Sequence, residues 1–191
     1  MAMGIRVAGI CALAGLCVPC AHAYNALRNG DFSGGASPWN LAQTGGGSAS
    51  WESFLGSPAG GSLRLQSFDF NDTTHADQCV DVHRWLVLDF DLRQFDELGT
   101  SSGTHTFKLD LFDAAGCTGN NVGTITLPQT GTVLADSWTE VSVLGTPLPS
   151  NAVSAQVDLD VDAGASTVAY FLVDAVEVIP PDEIFPDDFE G

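Results

Sequence analysis

Apolar and polar residues alternate along most of the chain, and this pattern constrains the fold more than any other feature of the sequence. The alternation is clearest in the segments 86–93, 106–112 and 155–162. Side chains of a β-strand point to opposite faces in turn, so each segment predicts a strand with one buried and one solvated face. After residue 23, no stretch of ten residues has apolar positions at the helical spacing i, i+3, i+4, i+7. The sequence therefore predicts an all-β protein.

Glycine- and proline-rich turns divide the rest of the chain into short segments. Besides a long apolar strand at 170–179, the sequence predicts short strands near 26–32, 39–43, 50–54, 62–66, 76–82, 122–126 and 138–144. Many short strands joined by such turns are typical of a two-sheet β-sandwich or a barrel.

The alternation also predicts which side chains are buried. Those expected in the core of the two best-defined strands are Leu86, Leu88, Phe90, Leu92, Phe107, Leu109 and Leu111. The carboxylates between them, Asp89, Asp91 and Asp110, are expected to be more exposed. A register shift of one residue would exchange the two faces.

The first 23 residues have the pattern of an export signal. Arg6 precedes an apolar run at 7–18, and small residues at 21 and 23 precede the expected cleavage point. The run is too short for a membrane anchor. We therefore expect a signal peptide at 1–23 and a secreted or periplasmic mature protein that does not insert into a membrane.

The mature chain is expected to contain one domain at 24–179, which is the size of a single folded unit. Two prolines after Ile179 end the last predicted strand, and an acidic, flexible tail is expected at 180–191. All 24 acidic residues of the chain, but only five of its six basic ones, follow residue 23. Such a negative charge excludes nucleic acid and anionic lipid as partners and favours cations.

Two of the five cysteines, Cys79 and Cys117, lie in the mature chain. An even pair in an oxidising compartment predicts a disulfide. The closed loop of about 40 residues would stabilise the fold by at most about 4 kcal/mol on the chain-entropy argument.

Nothing in the sequence indicates an enzyme. The histidines have no metal-binding spacing, and no G-x-S-x-G turn is present. The aspartate stripe at 158, 160 and 162 predicts either a solvated strand face or a cation site. Trp51 and Trp85 are the tryptophans most suited to stacking on a sugar ring, and Asp89 and Asp91, near Trp85, complete a candidate ligand set.

Four motifs occur in order along the chain: N-A-L-R-N-G-D-F-S at 25–33 followed by P-W, Q-C-V-D-V at 78–82, S-W-T-E-V-S-V at 137–143, and Y-F-L-V-D-A-V-E-V at 170–178. Together they resemble jelly-roll carbohydrate-binding modules of the galactose-binding-domain-like superfamily. Ser33 stands where that family often has Glu. The resemblance implies a jelly-roll sandwich that binds glycans without catalysis.

In many members of that family a calcium ion clips the first and last strands together, and this implies a structural calcium site at Asp31 and Asp174. Asp174 interrupts an apolar strand, and a buried charge is costly unless it is paired or bound to a metal. Alternatively, Asp174 accepts hydrogen bonds from backbone N–H groups of the first strand.

The end of the chain, I-F-P-D-D-F-E-G at 184–191, resembles the I-F-x-D-G-F-E segment of exported proteobacterial proteins, with Asp188 in place of Gly. We therefore expect an exported bacterial protein that binds a glycan or a cell-surface polymer. The alternative is a structural or adhesive protein with no sugar site, and a small secreted hydrolase is a third interpretation. A sheet face with two aromatic rings would favour sugar binding, whereas an acidic, ring-free face would favour the adhesive alternative.

Overall fold

Ten antiparallel strands form two five-stranded sheets in a computed structural model of the chain, which describes residues 25–69, 71–96, 104–128, 137–163 and 168–180. These residues contain no helix, and hence none that could cross a membrane. The predicted signal peptide at 1–23 and the tail from residue 181 onward lie outside the described residues.

The strands are β1 (Asn40–Thr44), β2 (Ser48–Glu52), β3 (Ser62–Ser67), β4 (Thr73–Asp81), β5 (Val87–Asp96), β6 (Thr104–Ala114), β7 (Thr118–Thr126), β8 (Thr139–Pro147), β9 (Ser154–Asp162) and β10 (Ala169–Ile179). Sheet A has the order β1-β4-β9-β6-β7, and sheet B has the order β2-β3-β10-β5-β8. The all-β, two-sheet sandwich expected from the sequence is confirmed.

The core lies between the two sheets and follows the predicted alternation. The predicted core residues of β5 are fully buried: Leu88, Phe90 and Leu92. On β6, Leu109 is fully buried, and the exposed fractions of Phe107 and Leu111 are 2% or less. The intervening aspartates Asp89, Asp91 and Asp110 are partly exposed, as predicted. Each strand packs one face against the other sheet. The alternation of apolar and polar residues along the strand therefore identifies its inner face.

Leu86 was expected in this core, and that prediction is wrong, because its side chain is 79% exposed. The strand begins one residue later, at Val87, after a turn in which Arg84 has a φ of 73°. Alternation between two faces applies only within an extended strand, so it does not extend to this position.

The predicted strand at 26–32 is also absent, and an irregular segment occupies its place. This segment is attached to β10: the N–H of Ala26 donates to the carbonyl of Val178 (2.8 Å), and the N–H of Val176 donates to the carbonyl of Gly30 (2.9 Å). A Cβ on Gly30 would clash with the carbonyl oxygen of Val176. The segment therefore needs glycine at residue 30 to lie this close to the last strand.

The disulfide between Cys79 and Cys117 is confirmed, with Cα atoms 5.9 Å apart. It links β4 to the turn between β6 and β7, so it connects strands on either side of β9. The N–H of Cys117 also donates to Ser154 Oγ on β9 (2.9 Å). The bridge thus connects β4 to the β6–β7 turn at one end of sheet A.

Candidate functional site

Three neighbouring strands of sheet A carry a continuous array of polar side chains on their outer face. In the register of the sheet, His75 of β4 is opposite Asp160 of β9, which is opposite Thr106 of β6. The next row contains Asp77, Asp158 and Lys108 in the same order. Every second residue of each strand faces outward, so the alternation that builds the core also aligns these side chains.

The imidazole of His75 lies among three carboxylates. Its Nδ1 is 2.7 Å from Asp160 Oδ1, and its Nε2 is 3.0 Å from Asp77 Oδ1 and 3.1 Å from Asp158 Oδ1. The hydrogen bond to Asp160 and the charges around it outweigh burial and raise the pKa of His75 to about 9. His75 is therefore charged at neutral pH and acts as a counter-ion to these carboxylates.

Lys108 supplies the second positive charge of the array. Its Nζ lies 2.7 Å from Asp110 Oδ2 and 3.4 Å from Asp158 Oδ2. Asp158 is 9% exposed, and burial raises the pKa of its carboxyl. Two members of the aspartate stripe, Asp158 and Asp160, thus lie in ion pairs, and Asp158 is not part of a solvated face.

A groove of about 470 Å³ lies over this array, lined by Thr73, Thr104, Thr106, Lys108, Asp160, Val161 and Asp162. The lining combines hydroxyls, carboxylates and one ammonium group, and none of its described residues has an aromatic ring. Chemically, the groove can exchange hydrogen bonds with a polyhydroxylated ligand, or hold a cation.

The predicted ligand-binding tryptophans lie away from this groove. Trp51, on β2, is 42% exposed, and its Nε1 donates to the carbonyl of Phe32 (2.8 Å). Trp85 is partly buried against the core and borders a depression of about 430 Å³ together with His83 and Arg84.

The predicted partners Asp89 and Asp91 lie on the outer face of sheet B. Asp89 Oδ1 accepts a hydrogen bond from the N–H of Gly145 (2.6 Å), and Asp91 borders a cavity of about 70 Å³. Two strands separate β5 from β2, which places Asp89 and Asp91 roughly 14 Å from the strand of Trp51. The structure does not bring the four residues into one site, and their role in ligand binding stays a prediction.

Asp174, the first residue of the predicted calcium site, is 2% exposed. The N–H of Ser57 donates to its Oδ2 (2.5 Å), and the N–H of Ala175 donates to its Oδ1 (2.7 Å). Burial raises the pKa of Asp174 to about 6, and the charge of Asp31 adds to the rise.

The surroundings of Asp174 favour backbone hydrogen bonding, although the donors are Ser57 and Ala175 and not residues of the first strand. The positive charge of Arg93 opposes the rise in the pKa of Asp174. Asp31 and Asp174 together offer four carboxylate oxygens, whereas calcium takes six to eight oxygens. Calcium at this pair stays a prediction that needs further ligands from the backbone or from water.

The sequence interpretation missed His75, Asp77 and Lys108 as members of one array. Each has a local signal, because the alternating segments T-T-H-A-D-Q at 73–78 and T-F-K-L-D at 106–110 place them on outer faces. The missing information was that β9 pairs with both β4 and β6.

No protein-family model matches the sequence, and no curated protein matches it. Several solved structures are similar in fold. A family 61 carbohydrate-binding module in complex with β-1,4-galactotriose is 14% identical, with a TM-score of 0.55 over 82% of this chain and 99% of the module. The CBM22-2 xylan-binding domain of Paenibacillus barcinonensis Xyn10C is 15% identical, with a TM-score of 0.53 over 83% of this chain and 99% of the domain.

The enzymatically active domain of bacteriophage CBA120 tailspike protein 4 is also similar, at 16% identity and a TM-score of 0.60 over 81% of this chain. The chain spans only 21% of that structure. At such identities the similarity concerns the fold alone. It is the jelly-roll β-sandwich of carbohydrate-binding modules.

Proposed function

We propose that this protein is an exported, non-catalytic glycan-binding module and that its ligand lies in the groove of sheet A. The observation that carries the proposal is the groove itself, whose lining offers hydrogen-bond donors and acceptors side by side. Support comes from two modules of similar fold, one in complex with β-1,4-galactotriose and one described as xylan-binding.

Sugar hydroxyls both donate and accept hydrogen bonds, and the groove offers complements to each role. The hydroxyls of Thr104 and Thr106 can do either, the carboxylate of Asp160 accepts, and the ammonium group of Lys108 donates. These side chains project from paired strands, so the groove is held in shape before a ligand arrives.

The charge of the site limits the class of glycan. Aspartates outnumber lysines in the groove, and the whole chain carries a formal net charge of −18. Polymers rich in uronate or sulfate would be repelled, so the proposed ligand is a neutral glycan.

The ion pairs support binding without catalysis. Glycoside hydrolysis needs one carboxyl group that can donate a proton and a second carboxylate across the scissile bond. In this groove Asp160 is bonded to His75, and the neighbouring Asp158 lies between His75 and Lys108.

A second candidate function, an adhesive or structural protein without a sugar site, is favoured by one observation. Among the residues that the structure describes, the lining of the groove is acidic and includes no aromatic ring on which a sugar could stack. We rank glycan binding first because the lining offers both hydrogen-bond donors and acceptors, and because two modules of similar fold are described with glycans.

The test is a glycan array with the mature protein, followed by calorimetric titration of each glycan that binds. Thr104→Val and Thr106→Val remove a hydroxyl each and keep a β-branched side chain suited to a strand. We expect each variant to weaken binding by about 0.5–1.5 kcal/mol, the net contribution of a typical hydrogen bond.

Thr146→Val is the matched control, because Thr146 is a partly exposed strand residue of sheet B, on β8, outside the groove lining. Binding lost in Trp51→Ala or Trp85→Ala but kept in the threonine variants would move the site to the tryptophans. Absence of binding to any glycan would favour the adhesive function.

A further inference from the structure

We propose that His75, Asp158 and Asp160 form a binding site for one divalent transition-metal ion, and that zinc is the ion that fits it. The site goes beyond the proposed glycan-binding function and does not depend on it, because the ion would be bound in the absence of any sugar.

The three side chains already converge. One nitrogen of His75 and one carboxylate oxygen each from Asp158 and Asp160 lie within 4.8 Å of one another. Zinc bonds of about 2.0–2.2 Å place neighbouring ligand atoms about 3.3 Å apart, so the ligand atoms must approach one another by up to about 1.5 Å to close the set. Because His75 and Asp160 are opposite each other in paired strands, the backbone holds these two ligands in place.

A separate observation concerns one carboxylate oxygen of Asp158, which has ion-pair neighbours but no hydrogen bond. The side chain of Asp158 is 13% exposed, and its Oδ1 accepts no hydrogen bond. That oxygen is 3.1 Å from His75 Nε2, but the hydrogen bond of Nε2 is made to Asp77 Oδ1. A buried carboxylate oxygen without a hydrogen bond is unfavourable. A cation bound between Asp158 and His75 would complete its coordination.

The donor set selects the class of ion. An imidazole nitrogen with two carboxylate oxygens suits zinc and its neighbours among the transition metals, whereas calcium and magnesium prefer oxygen donors alone. With the ion on Nδ1, the nitrogen next to Asp160, Nε2 would keep its hydrogen bond to Asp77 Oδ1, as metal-binding histidines commonly do. Asp160 also borders the groove, so water can complete the coordination.

Zinc would take the place of a positive charge that the site already holds. Only a neutral imidazole nitrogen donates a lone pair to a metal, so binding releases any proton held by the ligating nitrogen of His75. One divalent ion then balances the charges of Asp158 and Asp160. The competition with the proton weakens the affinity at pH 7 but leaves the stoichiometry at one.

The test is isothermal titration of tag-free mature protein, freed of metal with a chelator, with zinc chloride and separately with calcium chloride. We expect one zinc per chain and no calcium at this site. His75→Gln and Asp158→Asn should each weaken zinc binding by about 100-fold or more, since loss of an outer-shell partner alone costs 10–100-fold.

His83→Gln is the matched control, because His83 is an exposed histidine that is not part of the cluster. It should bind zinc like the wild type. Cobalt(II) gives a second measurement that needs no variant: a tetrahedral N/O site would give the wild-type protein a visible absorption band that zinc removes. Absence of zinc binding, absence of the cobalt band, or equal zinc binding by His75→Gln and wild type would each overturn the proposal.

Discussion

At the scale of single residues, the positions of the few cations explain how this acidic chain tolerates its aspartates better than the net charge does. Five of its basic residues follow residue 23, against 24 acidic ones, yet His75 and Lys108 both lie where buried carboxylates need a cation. His75 adds a positive charge at neutral pH that the composition does not count. The aspartates of β9 are therefore tolerated because two neighbouring strands supply cations.

The pairing of His75 predicts a pH dependence of stability. Its pKa is raised to about 9, so the folded state binds the proton more tightly than the unfolded state does. The resulting stabilisation is fully present below about pH 6.5 and is lost as the pH rises through about 9. In a chelator, urea unfolding should show that the wild type loses about 1–2 kcal/mol more than His75→Gln between pH 7 and 9.5, a value reduced for partial solvation. Parallel pH profiles for the two proteins would contradict the pairing with Asp77, Asp158 and Asp160.

Asp31 and Asp174 give a second prediction. Asp174 has a pKa of about 6 and is ionised at pH 7, where the charge of Asp31 repels it. In a chelator, Asp31→Asn should therefore raise the free energy of unfolding by about a few tenths of a kcal/mol, as is usual for exposed charges. If calcium bridges the pair, the ion should raise the melting temperature of the wild type and have a smaller effect on Asp31→Asn. Equal melting temperatures with and without calcium would remove the calcium site.

At the scale of elements, the opening segment at 25–32 acts as an irregular clip on β10. Asn25 contributes to it, because its Nδ2 donates to the carbonyl of Val176 (2.9 Å) and its Oδ1 accepts from the N–H of Val178 (3.1 Å). The segment thus extends the hydrogen bonding of sheet B without being a strand.

The clip makes Gly30 a sensitive position. In Gly30→Ala the new methyl group would meet the carbonyl oxygen of Val176, so the segment must move away from β10. We expect a loss of about 1–3 kcal/mol in urea unfolding, the usual range for overpacking. Gly34→Ala is the control, because a Cβ there has no neighbour within 4 Å. Equal stability of the two variants would show that the segment is not held against β10.

The same elements show how far the sequence could predict the structure. The alternation of apolar and polar residues identified the buried faces of β5 and β6, because one side of each strand must pack against the other sheet. It failed at Leu86 and at 26–32, where positive-φ residues such as Arg84 and Asn29 replace extended backbone by turns. The array around His75 was beyond prediction, since it depends on pairing between strands more than 80 residues apart in sequence.

At the scale of the whole molecule, the chain is a disulfide-linked jelly-roll sandwich with a charged groove on one outer sheet face. The inner face of each sheet forms the core, so the outer face of sheet A can present polar side chains to a ligand. The chain covers 99% of the length of each of the two carbohydrate-binding modules of similar fold.

The central claim is that a neutral glycan binds in the groove of sheet A. The most direct measurement is a titration of isotopically labelled protein with an array-selected glycan, in which backbone amide shifts are followed by NMR. We predict that the largest shifts cluster at 104–108 and 158–162, the segments of β6 and β9 that form the groove. Shifts that centre on Trp51 or Trp85, or no shifts at saturating glycan, would contradict the claim.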